Sequence, residues 1–374
     1  MIYRFEVEGF KGFSEKLTLD LTHKKNYEFN QDCIFNGVVK KGMIYGRNGI
    51  GKSNLGLALF DIVGHLTDFN INKNMYSNYI NAVNVSGIAK FKYYFKFGDD
   101  FITYSYGKRS IKEFIYEELV INDKVVARFD REKDSNAYFS LYGTETLNTD
   151  ISESNISIIN YIKNNSILKD GLEKDLFFNF ITYVDKMLYF RSLDSNSYLG
   201  LEVGSHFITP DIVERGNLVD FERFLNEAGV SCKLCVIKTQ GNDGIVEDIG
   251  FDFGDKKIPF YGIASTGTKS LALFYYWMQR FIDEKCVSFI FVDEFDAFYH
   301  HALSMLMVKK MKSVGAQVLL TTHNTNVITN ELLRPDCYFI MDHKGIEAIF
   351  EKTDKELREA HNIEKMYKAG AFND

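Results

Sequence analysis

The sequence has 374 residues, 45% of them hydrophobic and 25% charged, and 44 basic against 51 acidic residues give a formal net charge of −7. This is an ordinary globular composition, so a mainly disordered chain is excluded. The acidic balance excludes a wholly basic nucleic-acid-binding surface, although it does not exclude local basic patches. At roughly 150 residues per domain, the length suggests two or three compact units.

The cysteine spacing and the lengths of the apolar runs predict the cellular compartment of the protein. Five cysteines at irregular spacing argue against a disulfide framework and favour a reducing compartment. Cys232 and Cys235 form a C-x-x-C pair, but no second pair follows at zinc-site spacing, so we interpret them as ordinary residues. The sequence lacks a secretory signal and an apolar run of ~18 residues. We therefore predict a cytoplasmic protein with no membrane partner.

The first 142 residues contain strand and helix patterns in a definite order. Alternating apolar residues predict a strand over 2–10 and its hairpin partner over 16–21. A short apolar strand over 42–45 ends in a glycine-rich loop, and helical spacing follows over 55–66. Over 88–142, aromatic and β-branched residues recur at every second position, which predicts an antiparallel meander with tight turns.

The rest of the chain is mainly helical at first and then alternates between helices and apolar strands. Its predicted elements are a helical region over 151–190, a helix over 218–228, a helix over 270–282, a strand over 287–292, a helix over 302–312 and a strand over 316–321. Helix and apolar strand alternate at both ends of the chain. This alternation predicts a parallel α/β sheet interrupted by an insertion of different architecture.

A phosphate-binding loop follows the strand over 42–45. Residues 46–53 read GRNGIGKS and fit the pattern G-x-x-x-x-G-K-[ST] between a strand and a helix. Its backbone N–H groups can surround phosphates, Lys52 can reach the β- and γ-phosphates, and the Ser53 hydroxyl can ligate Mg²⁺. The flanking strand and helix argue against an accidental glycine-rich turn.

Two carboxylates follow a second apolar strand. Residues 289–292 are all apolar and lead directly into Asp293 and Glu294. Ligands of parallel α/β sheets bind at the carboxyl ends of the strands. Asp293 is therefore placed to hold Mg²⁺, and Glu294 is placed to polarise an attacking water. A solvated strand end is the alternative interpretation.

Two further segments carry candidate phosphate contacts. His323 follows the apolar strand over 316–321, where an imidazole can contact a γ-phosphate, although a lone histidine is often only a packed or solvated residue. Residues 265–269 read STGTK immediately before the helix over 270–282. Small residues at a helix start favour anion binding.

Together these segments resemble one group of proteins. The carrying segments are 5–13 (FEVEGFKGF), 46–54 with Asn48 and Asn54, 265–268 (STGT), 292–297 (VDEFDA), 321–326 (TTHNTN), 332–336 (LLRPD) and 363–370 (IEKMYKAG). The sequence resembles ABC-clade AAA-type ATPases of the RecF, SMC and OLD branch. It is most similar to the small AAA ATP-binding proteins associated with bacterial abortive infection and anti-phage defence. The resemblance covers about 1–60 and 257–374.

The resemblance implies a fold and a domain organisation. The fold would be α/β, a P-loop NTPase head of ABC type with a mixed sheet flanked by helices, carrying an inserted β-meander and a helical subdomain. The head would consist of residues 1–60 and 257–374. The insertion would span 61–256, with the meander over about 88–145 and the helical part over about 151–230.

The resemblance also implies roles for individual residues, with ATP and Mg²⁺ as cofactors. Catalytic roles would fall to Glu294, His323 and Lys52, and Ser53 and Asp293 would hold the metal. Nucleotide-binding residues would be Gly46, Asn48, Gly49, Gly51, Lys52, Ser53, Asn54, Lys11, Ser265, Gly267, Thr268 and Asp296. Among these, Ser265–Thr268 would be the signature loop that meets ATP bound by the opposite subunit. The loop departs from the transporter form Leu-Ser-Gly-Gly-Gln, and the glutamine of the Q-loop cannot be placed.

The leading functional interpretation is an ATPase, converting ATP to ADP and phosphate, that acts as a nucleotide-gated regulator in anti-phage defence. It would form a homodimer or higher homo-oligomer through its heads. Only about fifty residues follow His323, fewer than a typical domain, so a nuclease or toxin effector is expected on another chain. The period-two aromatics over 93–106 should lie half in a core and half on a surface that could anchor a partner.

Two alternatives remain open. The first is a RecF-like DNA-binding repair or recombination ATPase, which would need a basic face. The basic runs are short, at 24–25, 40–41 and 309–312, and are typical of solvated surfaces, so charge does not indicate nucleic acid as a partner. The second is a transporter ATPase, against which the altered signature loop and the RecF-like opening both argue.

Overall fold

The computed structural model describes residues 1–67, 73–151, 156–191, 197–200, 208–241, 244–283, 287–297 and 301–372. Its helices are α1 (Lys52–Leu66), α2 (Ile158–Asn165), α3 (Leu172–Asp185), α4 (Ile208–Glu214), α5 (Leu218–Glu227), α6 (Phe260–Ile263), α7 (Thr266–Asp283), α8 (His301–Ser313) and α9 (Ile363–Lys368). Within the described residues, no helix combines the length and the apolar character needed to cross a membrane.

The first large sheet is antiparallel. Its strands are β1 (Ile2–Glu8), β2 (Leu17–Asp20), β6 (Ala89–Phe97), β7 (Asp100–Ser110), β8 (Glu113–Ile121), β9 (Lys124–Asp130) and β10 (Tyr138–Phe139). They lie in the order β10-β9-β8-β7-β6-β1-β2. The predicted meander is therefore confirmed, and the N-terminal hairpin extends it, because β1 pairs with β6.

The second large sheet has a parallel centre. Its strands are β5 (Lys41–Tyr45), β11 (Met187–Arg191), β12 (Ser197–Gly200), β16 (Phe289–Asp293), β17 (Gln317–Thr322), β18 (Tyr338–Met341) and β19 (Ile346–Ala348), in the order β12-β11-β16-β17-β5-β18-β19. The strands β11, β16, β17, β5 and β18 run parallel, and the strands at the two edges are antiparallel. The predicted α/β fold with a mixed sheet is confirmed.

The described residues also form two small antiparallel sheets. The first pairs β3 (Ile34–Phe35) with β4 (Val38–Val39), and the second consists of β13 (Leu234–Gly241), β14 (Gly244–Asp252) and β15 (Lys257–Pro259). The second small sheet lies directly before α6 and α7 in the chain. It therefore precedes the segment identified as the signature loop.

One element differs from its predicted type. The region 151–190 was predicted to be helical, but its last residues form β11, which pairs in parallel with β16. A run of four apolar residues, 187–190, fits a buried strand as well as a helical turn, and the parallel sheet decides between them. This strand joins the same sheet as the phosphate-binding loop although it falls inside the predicted insertion 61–256, whose bounds stay a prediction.

Helix α1 lies between the two large sheets. On one side the Tyr93 hydroxyl of β6 donates to the Ala58 carbonyl, at 2.8 Å. On the other side, a Cβ atom added to Gly56 would lie only 2.8 Å from the rings of Tyr189 and Phe291. Contacts on both sides explain why twelve of the fifteen residues of α1 are buried.

A buried charge pair also connects α1 to the antiparallel sheet. The Asp61 carboxylate accepts hydrogen bonds from Lys108 at 2.6 Å, from the Tyr106 hydroxyl at 2.9 Å and from the Tyr79 hydroxyl at 2.7 Å. Burial, together with the charge of Asp61, raises the pKa of Tyr106 and Tyr79 well above the usual value. Both phenols therefore stay protonated and act as donors. The helix that follows the phosphate-binding loop is thus fixed to the meander.

The predicted division of aromatic residues in the meander is confirmed only in part. Tyr93, Phe95, Tyr104 and Tyr106 are fully buried against α1 and α3, whereas Tyr94 and Phe97 are half-buried. The more exposed aromatic residues include Phe101, within the same run, and Tyr138 and Tyr142 farther along the chain. Most of the period-two aromatics over 93–106 are therefore core residues.

Candidate functional site

The loop over 46–51 closes tightly between β5 and α1. The Lys52 ammonium group donates to the carbonyl oxygens of Gly46, at 2.8 Å, and Arg47, at 3.2 Å, and it is only 3% exposed. Gly51 has φ +112°, and a Cβ atom there would lie 3.3 Å from Met341 and Phe13. Only glycine suits such a backbone conformation. The Lys52 hydrogen bonds and the Gly51 backbone therefore hold the loop in a tight turn between β5 and α1.

The tip of this loop is open to solvent. Asn48 and Gly49 are exposed and line a cavity of about 450 Å³, together with Tyr45 and Asp342. Asn54 lies in the first turn of α1, beside Gly12, where an added Cβ atom would approach the Asn54 amide within 3.1 Å. The segment around Lys11 therefore contacts the helix that carries the loop.

Lys11 itself lies at the edge of the loop. Its backbone has φ +46°, and its ammonium group donates to the Ser77 carbonyl at 2.8 Å. Burial, followed by the positive charge of Arg191, lowers the pKa of Lys11. Lys11 and Arg191, which are 180 positions apart in the sequence, are therefore close enough for the charge of one to affect the pKa of the other.

The two carboxylates at the end of β16 are fixed by Thr321 of β17. The Thr321 hydroxyl donates to Asp293 Oδ1 at 2.8 Å and accepts from the Glu294 backbone N–H, also at 2.8 Å. Glu294 has φ +48°, a conformation that is uncommon for a residue other than glycine. This turn directs Glu294 away from the strand, whereas Asp293 stays in line with it.

Glu294 lies between the lysine of the loop and the histidine of the third strand. Its Oε1 is 3.7 Å from Lys52 Nζ, and its Oε2 is 3.9 Å from His323 Nδ1. The Glu294 side chain is 14% exposed and the His323 side chain is 45% exposed. The three residues predicted to be catalytic therefore lie together, with the histidine on the solvent side.

Asp296 occupies a separate position beside this cluster. Both of its carboxylate oxygens accept from the Thr322 hydroxyl at 2.9 Å, and the same hydroxyl oxygen accepts from the Asn324 backbone N–H. Thr321 and Thr322 thus position the two acidic residues on either side of Glu294. These threonines were not among the predicted site residues, although their place at the end of an apolar strand is a usable signal.

The segment Ser265–Thr268 forms the start of α7. The Ser265 hydroxyl accepts from the Thr268 backbone N–H at 3.1 Å, which is an N-cap interaction, and Gly267 lies between them. In the part of the chain that the structure describes, no hydrogen bond or ion pair joins this segment to Lys52 or Glu294. Among the described residues, Ser265, Gly267 and Thr268 thus have no polar contact with the Lys52–Glu294–His323 cluster of their own chain.

The oxygen atoms at the carboxyl ends of the strands suit a magnesium ion. Ser53 offers a hydroxyl at the start of α1, and Asp293 offers its Oδ2, which accepts no hydrogen bond from any residue in the described ranges. Mg²⁺ prefers a few protein oxygens together with phosphate and water ligands. The donor set therefore fits Mg²⁺, and Tyr189 lies beside it, its hydroxyl 3.4 Å from the Ser53 carbonyl.

Comparison with known proteins agrees with this geometry. Residues 43–329 match the family described as "AAA domain, putative AbiEii toxin, Type IV TA system". This match spans the phosphate-binding loop, both strand-end carboxylates and His323. No curated protein sequence matches the chain significantly.

Several solved structures are similar to the chain at low sequence identity. The SMC head bound to the C-winged helix domain of ScpA has TM-score 0.46 and 16% identity, covering 93% of this chain and 97% of that one. The SMC head domain from Thermotoga maritima has TM-score 0.44 and 14% identity, covering 93% and 98%. The recombination mediator RecF has TM-score 0.41 and 13% identity, also covering 93% and 98%.

The family match covers more than half of the chain, and the observed fold has the features that such a match requires. A phosphate-binding loop joins β5 to α1, acidic residues follow β16, and an antiparallel sheet interrupts the parallel one. The sequence resemblance is therefore confirmed. The chain belongs to this AAA family.

Proposed function

We propose that this protein binds and hydrolyses ATP with Mg²⁺ and works as a nucleotide-gated dimeric regulator of a separate effector in anti-phage defence. The observation that carries the proposal is that Lys52 and His323 each lie within 4 Å of the Glu294 carboxylate, beside the loop over 46–53. The family generally binds ATP with Mg²⁺, and its description refers to a toxin of a toxin–antitoxin system.

Each residue of the cluster has a specific proposed task. Lys52 would release the carbonyls of Gly46 and Arg47 and bind the β- and γ-phosphates. Ser53 and Asp293 would hold Mg²⁺, which neutralises phosphate charge and orients the phosphate oxygens when it is bound. Glu294 would accept a proton from the attacking water, and His323 would donate to the γ-phosphate.

A second copy of the chain would complete the site. Ser265, Gly267 and Thr268 form a helix start suited to an anion, yet no described contact joins them to the loop of their own chain. A two-fold dimer would place this segment against the phosphates held by its partner, and each dimer would then contain two shared sites.

We expect two inactive variants to restore activity when mixed. Lys52→Ala removes the phosphate contact of one chain, and Gly267→Glu places a carboxylate against the phosphates held by the other. An equal mixture should form about half mixed dimers, each with one intact shared site, and so recover up to about a quarter of the ATPase rate of the unchanged protein.

The control for this mixing experiment pairs Lys52→Ala with Glu294→Gln. Both substitutions disable the phosphate-binding side of the site, so mixed dimers contain no intact site and should stay inactive. If Lys52→Ala mixed with Gly267→Glu shows no more activity than its parents, the shared site is wrong.

The insertion is the proposed contact surface for the effector. Its exposed aromatics, Phe101, Tyr138 and Tyr142, are the type of side chain that anchors protein interfaces, whereas Tyr93, Phe95, Tyr104 and Tyr106 support the fold. Helix α1 connects this sheet to the phosphate-binding loop through Asp61 and Lys108. Nucleotide state and effector contact could thus be linked through one rigid helix.

Expression in phage-challenged cells tests the regulatory role. Protection should require both this gene and its genomic neighbour, and Lys52→Ala should abolish it. Changing Phe101, Tyr138 and Tyr142 together to Ser should weaken protection at least tenfold, while the control Phe35→Ser, an equally exposed aromatic outside the insertion, should not. Protection or toxicity from this chain alone would contradict an effector supplied by another protein.

The short basic runs give little support to the DNA-binding alternative. Lys24 pairs with Asp20 and Glu351, and Lys312 pairs with Asp32. Lys41 is buried and donates to three carbonyl oxygens, those of Met311, Val314 and Ala316. Three of the seven lysines in these runs are therefore already paired or used inside the fold, which favours a protein partner over a nucleic acid.

A further inference from the structure

Arg191 is the last residue of β11, and the parallel sheet places it opposite Asp293. The register of the two strands pairs Tyr189 with Phe291 and Arg191 with Asp293. Asp293 immediately precedes Glu294, whose carboxylate is 3.7 Å from Lys52. An arginine therefore lies at the same strand-end edge as the proposed metal and phosphate ligands, 138 residues after Ser53 in the chain.

The side chain of Arg191 lies on the face of the sheet that carries α1. Successive side chains of a strand alternate between faces, so Arg191 shares a face with Tyr189, and Asp293 shares one with Phe291. The rings of Tyr189 and Phe291 both lie against Gly56 of α1. Two residues farther along, Arg191 and Asp293 therefore reach the level where α1 begins.

Contacts around Arg191 agree with this position. Tyr189, two residues before Arg191 on the same face, donates from its hydroxyl to the Ser53 carbonyl at 3.4 Å. The positive charge of Arg191 also lowers the pKa of Lys11, after the larger effect of burial. Arg191 thus lies beside the tyrosine that contacts the backbone of the residue proposed to ligate Mg²⁺.

Building on the proposed ATP site, we propose that Arg191 donates hydrogen bonds to the γ-phosphate of ATP and makes the site discriminate ATP from ADP. Lys52 directly follows the loop, the charges of Lys11 and Arg191 act on each other, and Arg191 lies opposite Asp293 at the strand end. Because Asp293 is a proposed ligand of the Mg²⁺ that would bind the terminal phosphates, an arginine opposite it suits the terminal phosphate rather than the nucleoside end. A planar guanidinium suits bidentate contact with phosphate oxygens.

Binding measurements on Arg191→Gln test this role separately from catalysis. The dissociation constants of Mg–ATPγS and Mg–ADP are measured by titration calorimetry for the unchanged protein, Arg191→Gln and Arg191→Lys. Loss of a charged hydrogen bond of about 1.5–3 kcal/mol should weaken ATPγS binding roughly 10- to 150-fold. ADP binding should change less than about threefold, and Arg191→Lys should lie between the two proteins.

Arg128→Gln is the matched control, because Arg128 is an exposed arginine on β9, away from the loop, and it should leave both constants unchanged. If Arg191→Gln has a much lower melting temperature than the unchanged protein without nucleotide, the test uses Arg191→Lys alone. Arg191→Lys should then lose affinity for ATPγS at least about threefold, with no loss of affinity for ADP. Equal weakening of ATPγS and ADP, or no weakening of either, would overturn the role of Arg191 alone. Failure of the unchanged protein to bind ATPγS would overturn this role and the proposed function together.

Discussion

Glu294→Gln is expected to bind ATP as tightly as the unchanged protein and to hydrolyse it about 10²–10⁴-fold more slowly. The amide keeps the size of the carboxylate but cannot accept a proton from water. The Thr321 hydroxyl still contacts the backbone N–H of residue 294 and the Asp293 carboxylate. Lys52 still donates to the Gly46 and Arg47 carbonyls. Phosphate release and calorimetric titration of ATP, both on purified protein, measure the two effects.

The control for Glu294→Gln is Glu331→Gln, because Glu331 is exposed and lies after β17, outside the cluster. This control should retain the full rate. Equal ATPase rates for Glu294→Gln and the unchanged protein would contradict the assignment of Glu294 as the base. A parallel loss of ATP binding would show that Glu294 acts through the position of Lys52 instead.

Lys52→Ala should reduce ATP affinity by at least about 100-fold, because it removes charge-assisted hydrogen bonds to the β- and γ-phosphates. The lysine is buried and donates to the Gly46 and Arg47 carbonyls, so its loss also frees two acceptors in the loop. Lys52→Met keeps most of the apolar stem and separates these effects. Both variants should lose ATP binding, and Lys52→Met should retain more thermal stability.

Lys355→Ala, at an exposed position far along the chain, should bind ATP normally and controls for a general loss of positive charge. ATP titration and thermal unfolding are measured on all four proteins. Retention of full ATP affinity by Lys52→Met would mean that the loop over 46–53 does not bind phosphate as proposed, whatever its backbone conformation.

Local patterns predicted most of the elements that carry the site. The predicted strands before the loop, before Asp293 and before His323 agree with β5, β16 and β17 within about two residues. Each has a strong local signal: glycines that suit positive φ, or a short apolar run that ends in polar residues. Because the carboxyl ends of parallel strands meet at one edge, these signals were sufficient to expect the cluster of Lys52, Glu294 and His323.

The strand β11 shows where local pattern was insufficient. Four apolar residues before Arg191 fit a helix that follows α3 as well as a buried strand, and nothing nearby in the sequence decides between them. The parallel partner that makes it a strand, β16, lies about a hundred residues later. Arg191 was consequently absent from the sequence-based site, together with Tyr189.

The sequence by itself determined the chemical class of this protein, since the phosphate-binding loop and the strand-end acids depend on residue type and spacing over short stretches. The tertiary structure alone decided which distant residues join them. Thr321 bridges Asp293 and Glu294, Asp61 ties α1 to Lys108, and Arg191 stands opposite Asp293. These contacts depend on strand order and register, which arise from burying α1 between two sheets rather than from any local preference.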